Sequence, residues 1–236
     1  ARLHGLPSTS DPRRGLINLC GKTLQYCTSF QKAAGWKGCI DGYGTYRPIM
    51  RVLVLASGGK DSALASWWAI SKGWDVAGLV TVSVENDDSF MFQLQSTNLA
   101  AYQSAAMNVG WMQVKVSGKP DQEVNELENS LVGVISGMPG PTPPTSLAGE
   151  GWKIPSALRN IDSGPAIDAI VCGAIRSEYQ RRRIELMCER LGVISFTPLW
   201  HHDPLQHMQE LVSCGFKMML VSVSSDGLTE EWLGQL

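Results

Sequence analysis

Two rhythms of apolar residues run through the chain from residue 50 onward. Short runs rich in Val, Ile, Leu and Met occupy 51–56 (RVLVLA), 75–83 (DVAGLVTVS), 111–117 (WMQVKVS), 167–173 (IDAIVCG), 194–199 (ISFTPL) and 217–223 (KMMLVSV). Runs of this kind, bounded by polar or turn-forming residues, predict strands. Between them, segments near 61–72, 97–109, 122–136, 177–191 and 204–214 read as helices. Apolar strands alternating with helices predict an α/β fold with a parallel sheet covered on both faces.

Two stretches break the rhythm. Residues 137–166 (GMPGPTPPTSLAGEGWKIPSALRNIDSGPA) are dense in Pro and Gly, which predicts a long loop or insertion, either plain or a lid. Residues 1–49 hold no clear period of either kind. They are expected to be a poorly structured N-terminal extension ahead of one domain spanning 50–236, with a targeting segment and an accessory element as the other readings.

The turn between the first strand and the first helix carries the most chemistry. In VLVLASGGKDSALASWW (52–68), the polar residues Ser57, Gly58, Gly59, Lys60, Asp61 and Ser62 are packed into one turn. Ligands of open α/β sheets bind at the carboxyl ends of the strands, which is where this turn falls. Glycines let successive N–H groups converge, and the following helix adds its positive end, so the string predicts an anion nest. The plainer reading is a glycine turn with Asp61 or Ser62 as helix N-cap. A Walker A loop is excluded, because Val54 stands where Gly is needed and Asp61 where Ser or Thr is needed.

Composition narrows the class further. A chain of 236 residues, 44% hydrophobic, can bury one sizeable core. No apolar run reaches the ~18 residues of a membrane span, and six cysteines without a C-x-x-C pair read as reduced thiols. A cytoplasmic protein is therefore expected. Residues 1–49 hold seven basic residues against Asp11 and Asp41, which leaves 13 basic and 20 acidic residues in 50–236. An acidic domain is a poor match for a large nucleic-acid surface, and no nucleic-acid partner is expected.

Ser57-Gly-Gly-Lys-Asp-Ser62 resembles the pyrophosphate-binding loop of the N-type ATP pyrophosphatases, which cleave ATP to AMP and pyrophosphate and adenylate a substrate oxygen. A second string, GAIRSEYQRRRIELMCERLGV (173–193), followed by FTPLWHHDPLQHMQELVSCGF, resembles the diphthine–ammonia ligases of that superfamily. SFMFQ (89–93) and DGLTEEWLG (226–234) add to the match, which departs at Gln93, where archaeal-type members tend to have His. The resemblance implies an adenine-nucleotide α-hydrolase-like (Rossmann-like) fold. It also implies that ATP and Mg²⁺ are held at Ala56, Ser57, Gly58, Gly59, Lys60, Asp61 and Ser62, with Asp61 toward the metal. Thr81, Val82 and Gly173 would complete the nucleotide site.

On a helical wheel of 177–191, Ile184, Met187, Cys188 and Leu191 form the buried stripe, with Ser177 as N-cap and Gly192 as stop. Gln180 and Arg181 flank that stripe in the first turn and are expected to face the crevice, where they suit phosphate or carboxylate oxygens. Arg182, Glu185 and Glu189 are expected on the opposite, solvated face. Read alone, the arginines are a solvated charge run. The resemblance makes Tyr179, Gln180, Arg181 and Arg183 catalytic candidates beside Lys60 and Asp61, and Met91, Glu178, Tyr179 and Trp200 substrate-binding candidates.

The activity so implied is ATP-dependent amidation of diphthine on translation elongation factor 2, with ammonium as nitrogen donor. Phe90, Tyr179 and Trp200 are candidates for holding the trimethylammonium group of diphthine, which needs aromatic faces. Another adenylating ATP pyrophosphatase, such as a tRNA thiolase, and a non-catalytic nucleotide-binding module are the alternatives. His201, His202 and His207 read as loop and helix-surface residues, and Cys172 and Cys188 as packing residues.

Overall fold

The computed structural model describes residues 38–40, 46–84, 98–119, 122–147, 151–223 and 227–235. Five strands, β3 (Arg51–Leu55), β4 (Asp75–Val84), β5 (Gly110–Val116), β6 (Ala169–Cys172) and β7 (Ile194–Phe196), form one parallel sheet in the order β5-β4-β3-β6-β7. The order runs outward in both directions from β3, so β3 and β6 flank a switch point where chain direction across the sheet reverses. This is the parallel α/β sheet that the alternating pattern predicts, in the Rossmann-like form that the resemblance implies. Within the expected extension, β1 (Gly38–Ile40) and β2 (Tyr46–Pro48) pair antiparallel in a separate two-stranded sheet.

Helices cover both faces because the central strands β3 and β6 are apolar on both. In β3, Val52 and Val54 face one layer and Leu53 the other, the period of 2 that a strand imposes. On the first side lie α1 (Lys60–Ser71), α2 (Leu99–Met107) and α5 (Pro204–Ser213), through Leu64, Ala65, Ala69, Ala100, Ala101 and Leu211. On the second lie α3 (Glu123–Ile135), through Val124, Leu127, Leu131 and Val134, and α4 (Glu178–Leu191), through Ile184, Met187 and Cys188. Both ends of α4 follow the expected cap chemistry. Ser177 Oγ accepts from Gln180 N at 3.3 Å, and Gly192 closes the helix at φ 70°.

Residues 217–223 are not a strand. Met219 and Val221 are exposed, and the segment pairs with no strand among the described residues. Strand composition without a ladder partner does not make a strand.

The 137–166 segment contains no helix or strand among its described residues, and it passes along the edge strand β5 and the amino ends of the sheet. Gly140 N donates to Ile161 O at 2.8 Å, and Trp111 N donates to Arg159 O at 2.9 Å. The buried Arg51 guanidinium donates to the carbonyls of Asp162 and Pro165 at 2.9 and 2.5 Å. Ile161 is 1% exposed and fills a gap made by Gly78 and Gly110, where an added Cβ would lie 2.5 Å from Ile161 atoms in each case.

Ile161→Ala is therefore expected to cost about 2–5 kcal/mol, the scale for a buried Ile. In a chain of this size each kcal/mol lowers the melting temperature by about 2–4 °C. Thermal unfolding monitored by circular dichroism checks this. An unchanged midpoint would mean that the strap merely lies on the domain.

Candidate functional site

An open crevice of about 200 Å³ lies at the carboxyl ends of β3, β4 and β6, across the switch point. Leu55, Ala56, Ser57, Asp61, Ser62, Val80, Val82, Cys172, Gly173, Ala174, Gln180 and Ile184 line it. No crevice residue comes from 137–166. The described part of that segment packs as a strap along β5 and the amino ends of the sheet.

The turn between β3 and α1 is built from its glycines. Gly58 takes φ 84°, a backbone state costly for any residue with a Cβ. Gly59 is the N-cap of α1 with no side-chain cap, so Asp61 and Ser62 are not caps but lie in the first turn. The positive end of α1 thus opens at the crevice without a side-chain cap, and the Asp61 carboxylate is the acidic group of its first turn. Three ties hold the turn: Ala56 N donates to Val80 O (2.8 Å), Ser62 Oγ to Gly59 O (3.0 Å), and Gln103 Nε2, from α2, to Gly58 O (3.0 Å).

Gly173 at the end of β6 completes the approach. A Cβ there would lie 2.9 Å from Asp61 C and O and 3.0 Å from Ser62 N. Only a glycine lets the first turn of α1 sit this close to β6.

Asp61 is held from two sides. Lys60 Nζ lies 2.9 Å from its Oδ1 and 3.1 Å from its Oδ2, while His207 Nε2 lies 2.8 Å from Oδ1. His207 is 3% exposed and buried on α5, which corrects its reading as a surface residue. Its Nδ1 is buried without a hydrogen-bond partner among the described residues, and a proton there would be an unsatisfied buried donor costing about 1–3 kcal/mol. The proton is accordingly assigned to Nε2, which donates to Asp61. His201 and His202 do keep to the surface side, and no group of three or more possible metal-binding side chains occurs among the described residues.

The remaining candidates divide. Val82 and Gln180 line the crevice as expected. Thr81 does not: it is fully buried and accepts from Trp111 Nε1 at 2.9 Å, because alternation along β4 turns it away from Val80 and Val82. Gly58, Gly59 and Lys60 shape the turn without lining the crevice. Arg181 is taken by carboxylates on its own helix, Glu178 at 2.8 Å and Glu185 at 2.9 Å, and also stacks 4.6 Å from the Trp200 ring centroid. Glu185 therefore shares a face with Arg181 instead of lying opposite, as residues four apart on a helix do. The Arg181 hydrogen bond holds the Glu178 carboxyl below its ordinary range. Arg183 stacks on Tyr179 at 3.6 Å. None of Glu178, Tyr179, Arg181, Arg183 and Trp200 lines the crevice; they form a rim of two arginine–aromatic pairs. Phe90, Met91 and Gln93 lie outside the described residues.

Four lining residues were not singled out from sequence as ligand contacts, Leu55, Cys172, Ala174 and Ile184, whereas Val80 falls in the 79–82 stretch expected to face adenine. The four are strand-end or helix-stripe residues, and their alternation was the available signal. Burial pushes the Cys172 thiol up and that of Cys188 up to about 12, so neither is a thiolate nucleophile at neutral pH.

A family model described as the diphthamide synthase N-terminal domain matches residues 50–136 and 148–195, more than half of the chain. The chain belongs to the diphthamide synthase family. All crevice residues fall within the matched segments, whereas Trp200 and His207 lie beyond them. Among relatives in the diphthamide synthase family, diphthine–ammonia ligase of Schizosaccharomyces pombe is 28% identical over 197 residues, covering 79% of this chain and 29% of that protein. Those of Danio rerio and Homo sapiens are each 25% identical, cover 76% of this chain, and are themselves covered to 66% and 64%. The chain thus spans under a third to about two thirds of these relatives' lengths. A solved structure described as a predicted tRNA methyltransferase subunit of Methanocaldococcus jannaschii covers 76% of this chain and is covered to 83%, at 16% identity and a TM-score of 0.41. No helix among the described residues is long and apolar enough to cross a membrane.

Proposed function

We propose that this chain carries the ATP-using site of a diphthine–ammonia ligase. The supporting observation is the crevice at the switch point, where the uncapped positive end of α1, Ser57 and Ser62 face Gln180 across β3 and β6. A donor-rich turn of this kind suits the β- and γ-phosphates of ATP. At about 200 Å³ the crevice is smaller than the ~300–1,000 Å³ that encloses a drug-sized ligand, so it seats the phosphate chain and leaves part of the nucleotide open. Asp61, the acidic lining residue, fits Mg²⁺ in charge and ligand type; when bound, the ion would neutralise phosphate charge beside it.

In this reading the carboxylate oxygen of diphthine attacks the α-phosphorus, and the bond to the pyrophosphate oxygen breaks. Ammonia then attacks the acyl carbon of the mixed anhydride, AMP departs, and nitrogen loses a proton to give the amide. The chain contributes positioning and charge neutralisation. The names of the relatives support diphthine as the substrate and ammonia as the nitrogen donor, and translation elongation factor 2 as the carrier of diphthine is part of the proposal. Incubation with diphthine-bearing elongation factor 2, ATP and ammonium should yield AMP, pyrophosphate and the mass change from carboxylate to amide. ATP retained without AMP would leave only a nucleotide-binding module.

The rim extends this reading. Tyr179 and Trp200 each carry a guanidinium over one face, so a trimethylammonium group would meet the other face. A cation–π contact is worth about 0.5–2 kcal/mol, so Tyr179→Leu and Trp200→Leu should each raise KM for the modified factor roughly 2–30-fold and change ATP binding little. Separate titrations with ATP and with modified factor check this. Weakened ATP binding with unchanged protein substrate would assign the rings to the nucleotide.

A further inference from the structure

His207 reaches Asp61 across 146 positions of sequence, from the face of the sheet that α5 covers to the turn that opens the crevice. Its mounting is rigid. Asp203 caps α5 by accepting from Leu205 N and Gln206 N, both at 3.0 Å, and His207 N donates to Asp203 O at 2.8 Å. His207 and Leu211, one turn later, are the buried residues of α5. The other hold on Asp61, Lys60, is an exposed side chain on a flexible stem and fixes little on its own.

A carboxylate that must meet a cation in one orientation needs a partner on its other side, which sets the plane of the group before the ligand arrives. We propose that His207 is a positioning residue: its Nε2–H fixes Asp61 so that the carboxylate faces the phosphate-bound cation of the crevice. The inference rests on the reading of the crevice as an ATP site. It concerns a residue outside the segments matched by the family model, so this hold on Asp61 is not part of what that match describes.

The test compares two amides. Gln places its NH₂ near the position of the imidazole Nε2, whereas Asn places it near Nδ1. His207→Gln should therefore keep kcat for AMP formation within a few-fold of the parent, while His207→Asn and His207→Leu lose roughly 10–100-fold, the scale for removing a group that orients a ligand. The loss should fall on kcat and on Mg²⁺-dependent ATP affinity measured by calorimetry, and it should vanish in an Asp61→Asn background, since the two residues then act as one unit. In the ligand-free protein, a long-range ¹⁵N–¹H spectrum should show the His207 proton on Nε2, with that resonance moved by Asp61→Asn.

Equal rates for the Gln and Asn variants, additive losses with Asp61→Asn, or a proton on Nδ1 would each overturn the proposal. A parent protein that makes AMP and pyrophosphate while His207→Asn keeps pace would sink the positioning role alone. A parent that makes neither would sink the ATP reading and this inference with it.

Discussion

Asp61→Asn is expected to lower AMP and pyrophosphate formation by roughly 10²–10³-fold with the melting temperature nearly unchanged. The rate loss is the scale for removing one preorganised charge-stabilising group. The stability side follows from the neighbours. Asn keeps an oxygen to accept from His207 Nε2, and because Gly59 is the N-cap of α1, no cap is lost. Asp61→Ala should match the rate loss but also leave the buried imidazole donor unpaired, at about 1–3 kcal/mol, or several degrees in the melting midpoint. Quenched-flow or steady-state AMP release, beside thermal unfolding of both variants, separates the terms. Two active variants with lowered stability would make the turn structural.

Gly173→Ala tests the other wall of the crevice. The new methyl would lie 2.9–3.0 Å from backbone atoms of Asp61 and Ser62, which cannot swing aside as a side-chain tip can. The first turn of α1 must move. Overpacking of this kind costs about 1–3 kcal/mol, and a shift near 1 Å at a reacting centre costs about 10²-fold in rate. Gly133→Ala, in α3, is the matched control: its nearest neighbour is Met138 Sδ at 3.6 Å, an ordinary contact, and Ala there should be tolerated or favoured by about 0.5–1 kcal/mol. Full activity in Gly173→Ala would mean that the turn has slack.

How legible this was depends on the reach of each interaction. Five strands and five helices follow from alternation and helical spacing, which act within a few residues. The turn at 57–62 was visible as a nest because its glycines are local signals, and the structure places Ser57, Asp61, Ser62 and Gln180 around one crevice. The failures involve competition or distance. Arg181 was expected to face the ligand, yet Glu178 and Glu185 lie three and four residues away and take it first. Residues 217–223 have strand composition but pair with no strand among the described residues. On α5 the more apolar stripe, Leu205, Met208 and Val212, is exposed, and the buried side is the one bearing His207. Which stripe faces inward depends on where α5 lands, which no local pattern encodes.

The strap has a practical corollary. Because residues 141–144 lie along the edge strand β5 and none of them lines the crevice, a reporter on this stretch sits on the scaffold and not on the ligand site. Thr142 is exposed there, as are Thr145 and Ser146 just beyond it. A fluorophore attached at one of them would read the integrity of the sheet edge during unfolding while remaining silent to nucleotide. Paired with a probe near Gln180, it would time the loss of the crevice against the loss of the fold.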